Sequence, residues 1–167
     1  MKKVLLYSVA ALVGAGVLSC HKETSIESGR GLAADMAATI DGVAWQAADS
    51  TESAIFSQGF VTISGISGDG QEISITLNDT VVGAYVLNQT SPSLAIYANL
   101  DSVGSYAYSS NQGADTSQAG GTVNVTAVDR VNRTISGVFS FKVYRNSDGS
   151  QKDITAGVFY NMPFTSQ

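Results

Sequence analysis

The chain has 167 residues, of which 14% are charged, with 17 glycines, two prolines and one cysteine. That length suits one domain with its own core, and a charged fraction well under the usual value of about 25% with abundant glycine favours strands and turns over long helices. The formal charge of −5, with no cluster of Lys and Arg beyond Lys3, excludes a phosphate-tracking surface, so nucleic acid is not an expected partner.

Lys2 and Lys3 precede an uncharged run over residues 4–18 that ends in Ser19 and Cys20. A short basic segment followed by such a run has the layout of a secretory signal, and the run falls short of the roughly 20 apolar residues that span a bilayer. Val17-Leu18-Ser19-Cys20 resembles the lipobox of bacterial lipoproteins. The resemblance implies cleavage before Cys20, a diacylglyceryl group on its thiol and an acyl chain such as palmitate on the new amino terminus. Two or three chains hold a protein at a membrane where a single chain binds only reversibly. The alternatives are an uncleaved anchor, or plain secretion with an incidental thiol. Cys20 is the sole cysteine, so no intramolecular disulfide is available in an oxidising compartment. His21 follows it in place of the Asp that retains lipoproteins at the inner membrane in some bacteria, which points to the outer membrane, on either its periplasmic or its surface face.

The expected organisation is a signal peptide over residues 1–19, a lipidated flexible tether over 20–35 and a single all-β domain over 36–167. The tether mixes charges with Ser and Gly, lacks a hydrophobic period and has a reach of about 20 Å. Removing Lys2 and Lys3 leaves seven basic residues against 14 acidic ones, a formal charge near −7.

Residues 36–47 read as a hairpin, because Asp41-Gly42 supplies the positive φ angles of a type I′ turn. A two-residue loop sets Ile40 opposite Val43 and Ala38 opposite Trp45, giving one apolar face. Trp45 is a core residue or a sugar-stacking platform. Strands are expected at residues 53–57, 84–87, 94–99 and 105–109. A second hairpin spans residues 60–77. Only a three-residue loop, Gly68-Asp69-Gly70, keeps Val61, Ile63 and Gly65 opposite Leu77, Ile75 and Ile73 on one face, with Gly70 left-handed. The polar stretch over residues 109–121 reads as a mobile rim loop. Tyr97, Tyr106 and Tyr108 beside it are the candidate ligand site, either stacking on a sugar ring or serving as half-buried rim residues.

Residues 121–160 read as three successive strands. Val123, Val125 and Ala127 form the inward set of the first; Ile135, Phe139, Phe141 and Val143 that of the second; Ile154, Ala156, Val158 and Tyr160 that of the third. No window forms an amphipathic helix, and short connections between strands argue an antiparallel meander closed as a β-sandwich or flattened barrel.

No enzymatic chemistry is expected. The one histidine, His21, lies in the tether, so nucleophilic sites lack a base and zinc sites built from Cys and His lack ligands. Asp41, Asp69, Asp129 and Asp148 sit at turn positions rather than as a carboxylate pair. The run Asn146-Ser147-Asp148-Gly149-Ser150 lacks the carboxylates and closing Glu of a calcium loop and reads as a strand-joining turn. No cofactor is implied.

Four pieces in order, Ile40-Asp41-Gly42-x-x-Trp45, Gly121-Thr122-Val123-x-Val125-Thr126, Ile135-Ser136-Gly137-x-Phe139-Ser140-Phe141 and Ile154-Thr155-x-Gly157-x-Phe159, resemble a family of uncharacterised outer-membrane lipoproteins from Bacteroidota. The resemblance implies export, lipidation and β-architecture, with no activity attached. It also implies O-glycosylation where Asp is followed by Ser or Thr and then by an aliphatic residue or Thr, at Ser50, Thr80 and Ser102, although Asp-Ser and Asp-Thr also occur as plain turn residues. The expected function is a lipid-anchored envelope protein whose β-domain is a non-enzymatic binding or structural module, with a glycan or protein partner. The alternative is a lipocalin-like carrier of a small apolar ligand, which would need a hollow interior instead of a packed one.

Overall fold

The computed structural model describes residues 35–100, 106–113 and 118–167. The signal peptide, Cys20, Ser102 and the tether up to residue 34 lie outside the described residues. Asp35, expected to close the tether, instead opens the first strand. The described residues form eleven strands and no helix: β1 (Asp35–Ile40), β2 (Val43–Gln46), β3 (Ser53–Ser57), β4 (Phe60–Ile66), β5 (Gln71–Leu77), β6 (Gly83–Leu87), β7 (Leu94–Asn99), β8 (Tyr106–Ser109), β9 (Gly120–Asp129), β10 (Thr134–Arg145) and β11 (Ser150–Ser166).

Both hairpins follow their turn chemistry. Asp41 and Gly42 have φ of 49° and 82°, and β1 pairs β2 with Ile40 opposite Val43 and Ala38 opposite Trp45. Met36, Ala38, Ile40, Trp45 and Ala47 are buried, but Val43 at the tip is 70% exposed because the hairpin end projects past the core. β4 pairs β5 in the register that the three-residue loop requires, Val61 with Leu77, Ile63 with Ile75 and Gly65 with Ile73, with Gly70 at φ 77°. Gly65 lies against Ala47, Met36 and Trp45, so the first hairpin rests on the second where a side chain is missing.

The last three strands depart from simple alternation at bulges. In β9 an extra residue falls between Val125, opposite Gly137, and Ala127, opposite Ser136. Ala127 is therefore exposed, and Val128 packs on the core in its place. In β11, Phe139 pairs Gly157 while Phe141 pairs Ile154, and Gly137 pairs Phe159 while Ile135 pairs Met162. One extra residue sits in each interval, marked by left-handed Ala156 (φ 49°) and Asn161 (φ 48°). Each bulge reverses the parity downstream. Ile154 is inside as expected, but Ala156 and Tyr160 face solvent and Val158 is only partly covered, whereas Gly157, Phe159, Met162 and Phe164 are buried.

The order of strands is β2-β1-β11-β3-β4-β5-β7-β8-β10-β9-β6, with β11 also paired to β10. Following the pairings from β11 through β3, β4, β5, β7, β8 and β10 returns to β11, so the sheet closes into a flattened barrel. One wall overhangs on both sides, through β1 and β2 beyond β11 and through β9 and β6 beyond β10. The pairing is antiparallel except for β11 with β3, where Phe164, Thr165 and Ser166 run parallel to Ala54, Ile55 and Phe56. Strict neighbour order also fails at β6, which leaves β5 to pair with β9, so that β5 meets β7 directly.

The interior is filled by one apolar cluster that includes Trp45, Ile63, Ile75, Phe139, Phe141 and Phe159. At its centre β10 and β11 exchange a reciprocal contact. Phe139 lies over Gly157 and Phe159 lies over Gly137, positions where an added methyl group would overlap the ring. The two rings stack with centroids 6.3 Å apart. A glycine in a strand gives up packing, and an aromatic ring from the neighbouring strand restores it. The paired Gly-x-Phe motifs of the sequence are the two halves of that contact.

Candidate functional site

At one end of the barrel the inward face changes character. Along β5 the inward side chains run from Ile75 and Ile73 to Gln71, along β7 from Tyr97 to Asn99, along β8 from Tyr108 to Tyr106. Along β10 they run from Val143 to Arg145, and on β11 from Ile154 back to Lys152 and Ser150. The fully apolar rows lie deep and the polar rows lie at the mouth. Pairing sets Gln71 beside Asn99 and Asn99 beside Tyr106 as the outer row, with Ile73, Tyr97 and Tyr108 as the row beneath.

This mouth is an open cleft of about 570 Å³, bounded by the β1–β2 turn, the β4–β5 loop, the ends of β7 and β8 and the start of β11. That size lies within the range of small-ligand sites. Gln71 organises its floor. Its side-chain oxygen accepts the Tyr97 hydroxyl at 3.0 Å, its side-chain amide donates to Asp69 Oδ2 at 2.5 Å, and its backbone carbonyl accepts Trp45 Nε1–H at 3.2 Å. Burial raises the pKa of the Tyr97 hydroxyl, so it stays a neutral donor at physiological pH.

The charges at the mouth are hydrogen-bonded. Lys152 Nζ donates to Asp41 Oδ2 at 2.7 Å, and the Asp153 backbone N–H donates to Asp41 Oδ1 at 2.9 Å. Partial burial pushes the Asp41 carboxyl up, but the Asp153 N–H and the Lys152 ammonium outweigh it and hold the pKa below the usual carboxylate range. The hydrogen bond to Asp41 raises Lys152 in turn. Asp69 is lowered by the Ser67 hydroxyl and the Gln71 amide. Behind the rim Arg145 lies over the Tyr106 ring at 4.3 Å and the Tyr108 ring at 4.9 Å while forking onto Asp148, whose carboxyl it holds far below its ordinary value. The Ser150 hydroxyl donates to Tyr108 Oη at 3.2 Å. The two carboxylates that line the cleft are thus ionised and already hydrogen-bonded, an arrangement suited to fixing the shape of the cleft rather than to delivering a proton near neutral pH.

The three tyrosines singled out in the sequence do come together. Tyr97 and Tyr108 have centroids 5.7 Å apart, as do Tyr106 and Tyr108. They are not equivalent, because Tyr97 and Tyr108 are buried and only Tyr106 keeps partial exposure. Trp45 is a core residue whose indole edge reaches the cleft. Of the glycosylation candidates, Ser50 is exposed in a turn and Thr80 is partly exposed beside Arg130, and neither lines the cleft. Within the rim stretch Ser110 is fully buried and exchanges hydrogen bonds of 2.9 Å with Ala95, and Gly120 and Gly121 belong to β9. The turn over residues 146–150 joins β10 to β11, with Gly149 left-handed and Asp148 tied to Arg145 and Ser150.

Gln71, Asn99, Lys152 and Arg145 were not singled out from the sequence. Their signal was present: each continues the inward parity of its strand by one step beyond the last apolar residue. A second, shallower hollow of about 370 Å³ lies on the outer face beside the Ala156 bulge, lined by Thr122, Asn124, Val138, Ser140 and Val158. Among the described residues, no group of three or more His, Cys, Asp or Glu side chains converges to hold a metal ion.

No curated protein and no solved structure matches this chain. The family model for a domain of unknown function (DUF6252) matches residues 33–163, from just before β1 into the end of β11. With that match covering most of its length, the chain belongs to the DUF6252 family.

Proposed function

We propose that this DUF6252 protein is a lipid-anchored cell-envelope lipoprotein, held at the outer membrane through Cys20, whose β-domain is a non-enzymatic binding module. The anchor rests on the basic start, the uncharged run over residues 4–18 and the lipobox-like Val17-Leu18-Ser19-Cys20, together with the resemblance to Bacteroidota lipoproteins. The binding half rests on one observation, the switch of the inward face from apolar to polar at a single mouth of the barrel. A cleft floored by a hydrogen-bonded glutamine and walled by hydrogen-bonded charges offers a ligand polar partners fixed in place.

The same geometry favours a rim site over a carrier cavity. The interior where a lipocalin-like ligand would sit is occupied by Phe139, Phe141, Phe159 and their neighbours. Two experiments test the reading. Metabolic labelling with a fatty-acid analogue should mark the wild-type protein and leave Cys20→Ala unlabelled; label persisting in that variant removes the anchor. Amide chemical-shift changes on adding a bound ligand should cluster on the β1–β2 turn, the β4–β5 loop and the ends of β7 and β8. Changes centred on Phe139 and Phe159 would instead revive the carrier.

A further inference from the structure

Resting on the reading of the mouth as a binding site, we infer that its ligand is a neutral carbohydrate chain, seated against Tyr106 and hydrogen-bonded by the polar rim. Three properties of the cleft select this class. The charged groups lining it already have partners: Lys152 with Asp41, and Asp69 with the neutral donors of Ser67 and Gln71. An anionic ligand would compete with Asp41 for Lys152 and meet the charge of Asp69, and a cationic one would compete with the Ser67 and Gln71 donors for Asp69. An apolar ligand fares no better, since it would cover the polar groups of Gln71 and Asp69 while offering them no hydrogen bond.

Hydroxyl groups donate and accept together, so a sugar can meet amide, carboxylate and ammonium groups without disturbing their pairing. The aromatic element fits the same class. Tyr106 is the one ring of the tyrosine cluster with open surface, and it is held from behind by Arg145 at 4.3 Å and edge-on by Tyr108 at 5.7 Å. A ring fixed in this way offers an apolar patch for the C–H face of a sugar at little cost in side-chain freedom. The cleft is an open groove and not an enclosed pocket, which suits a chain of sugars more than a free monosaccharide.

The test is an array of neutral and acidic glycans, with heparin and a fluorescent apolar dye as further probes, read with the full lipidated chain in detergent. Tyr106→Ala is the principal variant, and Asn99→Ala, one step along the same rim, is the second. Circular dichroism and melting verify that each is folded. Retention on neutral glycans, weakened about tenfold in Tyr106→Ala and reduced in Asn99→Ala, supports the inference. Retention confined to heparin, acidic glycans or the dye, and weakened by the same variants, overturns the ligand class while leaving the mouth as a binding site. Neutral-glycan binding that ignores both variants overturns the placement at the mouth, and no retention of any probe overturns the inference together with the binding role.

Discussion

The seam between β10 and β11 and the mouth of the barrel are built from the same inward-facing positions, yet they solve opposite problems. At the seam Phe139 and Phe159 each cover a glycine on the other strand, and the contact is made wholly of shape. At the mouth Gln71, Lys152 and Asp41 are held by hydrogen bonds and charge, with water close by. Shape complementarity tolerates almost no change of volume, whereas a hydrated polar network can exchange partners. A fold can therefore keep a rigid centre and an adaptable rim on one continuous face, and substitutions should separate the two.

The largest effect is expected at the seam. Phe159→Ala leaves a cavity at a fully buried site and should cost about 4 kcal/mol, read as a fall in the denaturant midpoint. Gly157→Ala drives a methyl group into the Phe139 ring and should cost on the order of 2–3 kcal/mol. Pairing it with Phe139→Leu should return part of that loss; strictly additive losses would show that the two positions do not share one contact. Beside them, Ala156→Gly should stabilise by about 1 kcal/mol, because glycine occupies the left-handed bulge without the penalty Ala bears there. No gain in the midpoint would mean that the bulge is not formed as described.

At the mouth the changes in stability are smaller. Tyr106→Ala, which loses the contacts with Tyr108 and Arg145, should lower the melting temperature less than Phe159→Ala while weakening ligand retention, a loss of binding that no seam variant should show. The pH profile offers the finest distinction. The Asp41 and Asp69 carboxyls are lower in the folded chain than their unfolded value of about 3.9, so they contribute stability above that pH, lost as pH falls through their folded values. Lys152 is raised, so its contribution holds below about 10.4 and is lost as pH rises through its folded value. Asp41→Asn should therefore flatten both limbs of a plot of urea midpoint against pH. Both groups are largely solvated, so the change is small. Limbs identical to wild type would show that the Asp41–Lys152 pair does not form in solution.

Much of the fold was legible because its signals are local. Asp41-Gly42 dictated a turn, and the register of Val61, Ile63 and Gly65 against Leu77, Ile75 and Ile73 followed from keeping one face apolar. The tyrosine cluster was legible as a neighbourhood, though not in its burial. The bulges were not legible: Ala156 carries none of the usual marks of a left-handed residue, so the reading of Ala156, Val158 and Tyr160 as inward had no local reason to fail. The mouth was missed because Gln71, Asn99 and Lys152 are distant in sequence and ordinary one by one.

Alternation and turn residues suffice to specify strands, hairpins and their registers, since these depend on side chains two positions apart and on the φ angles of a few residues. The closure of the ring through β11 and β3, the departure of β6 to β9 and the gathering of polar residues at one end belong to the assembled molecule. They depend on which sheet edges meet once the long, bent strands β10 and β11 have packed Phe onto Gly, and that contact exists only between strands already in place.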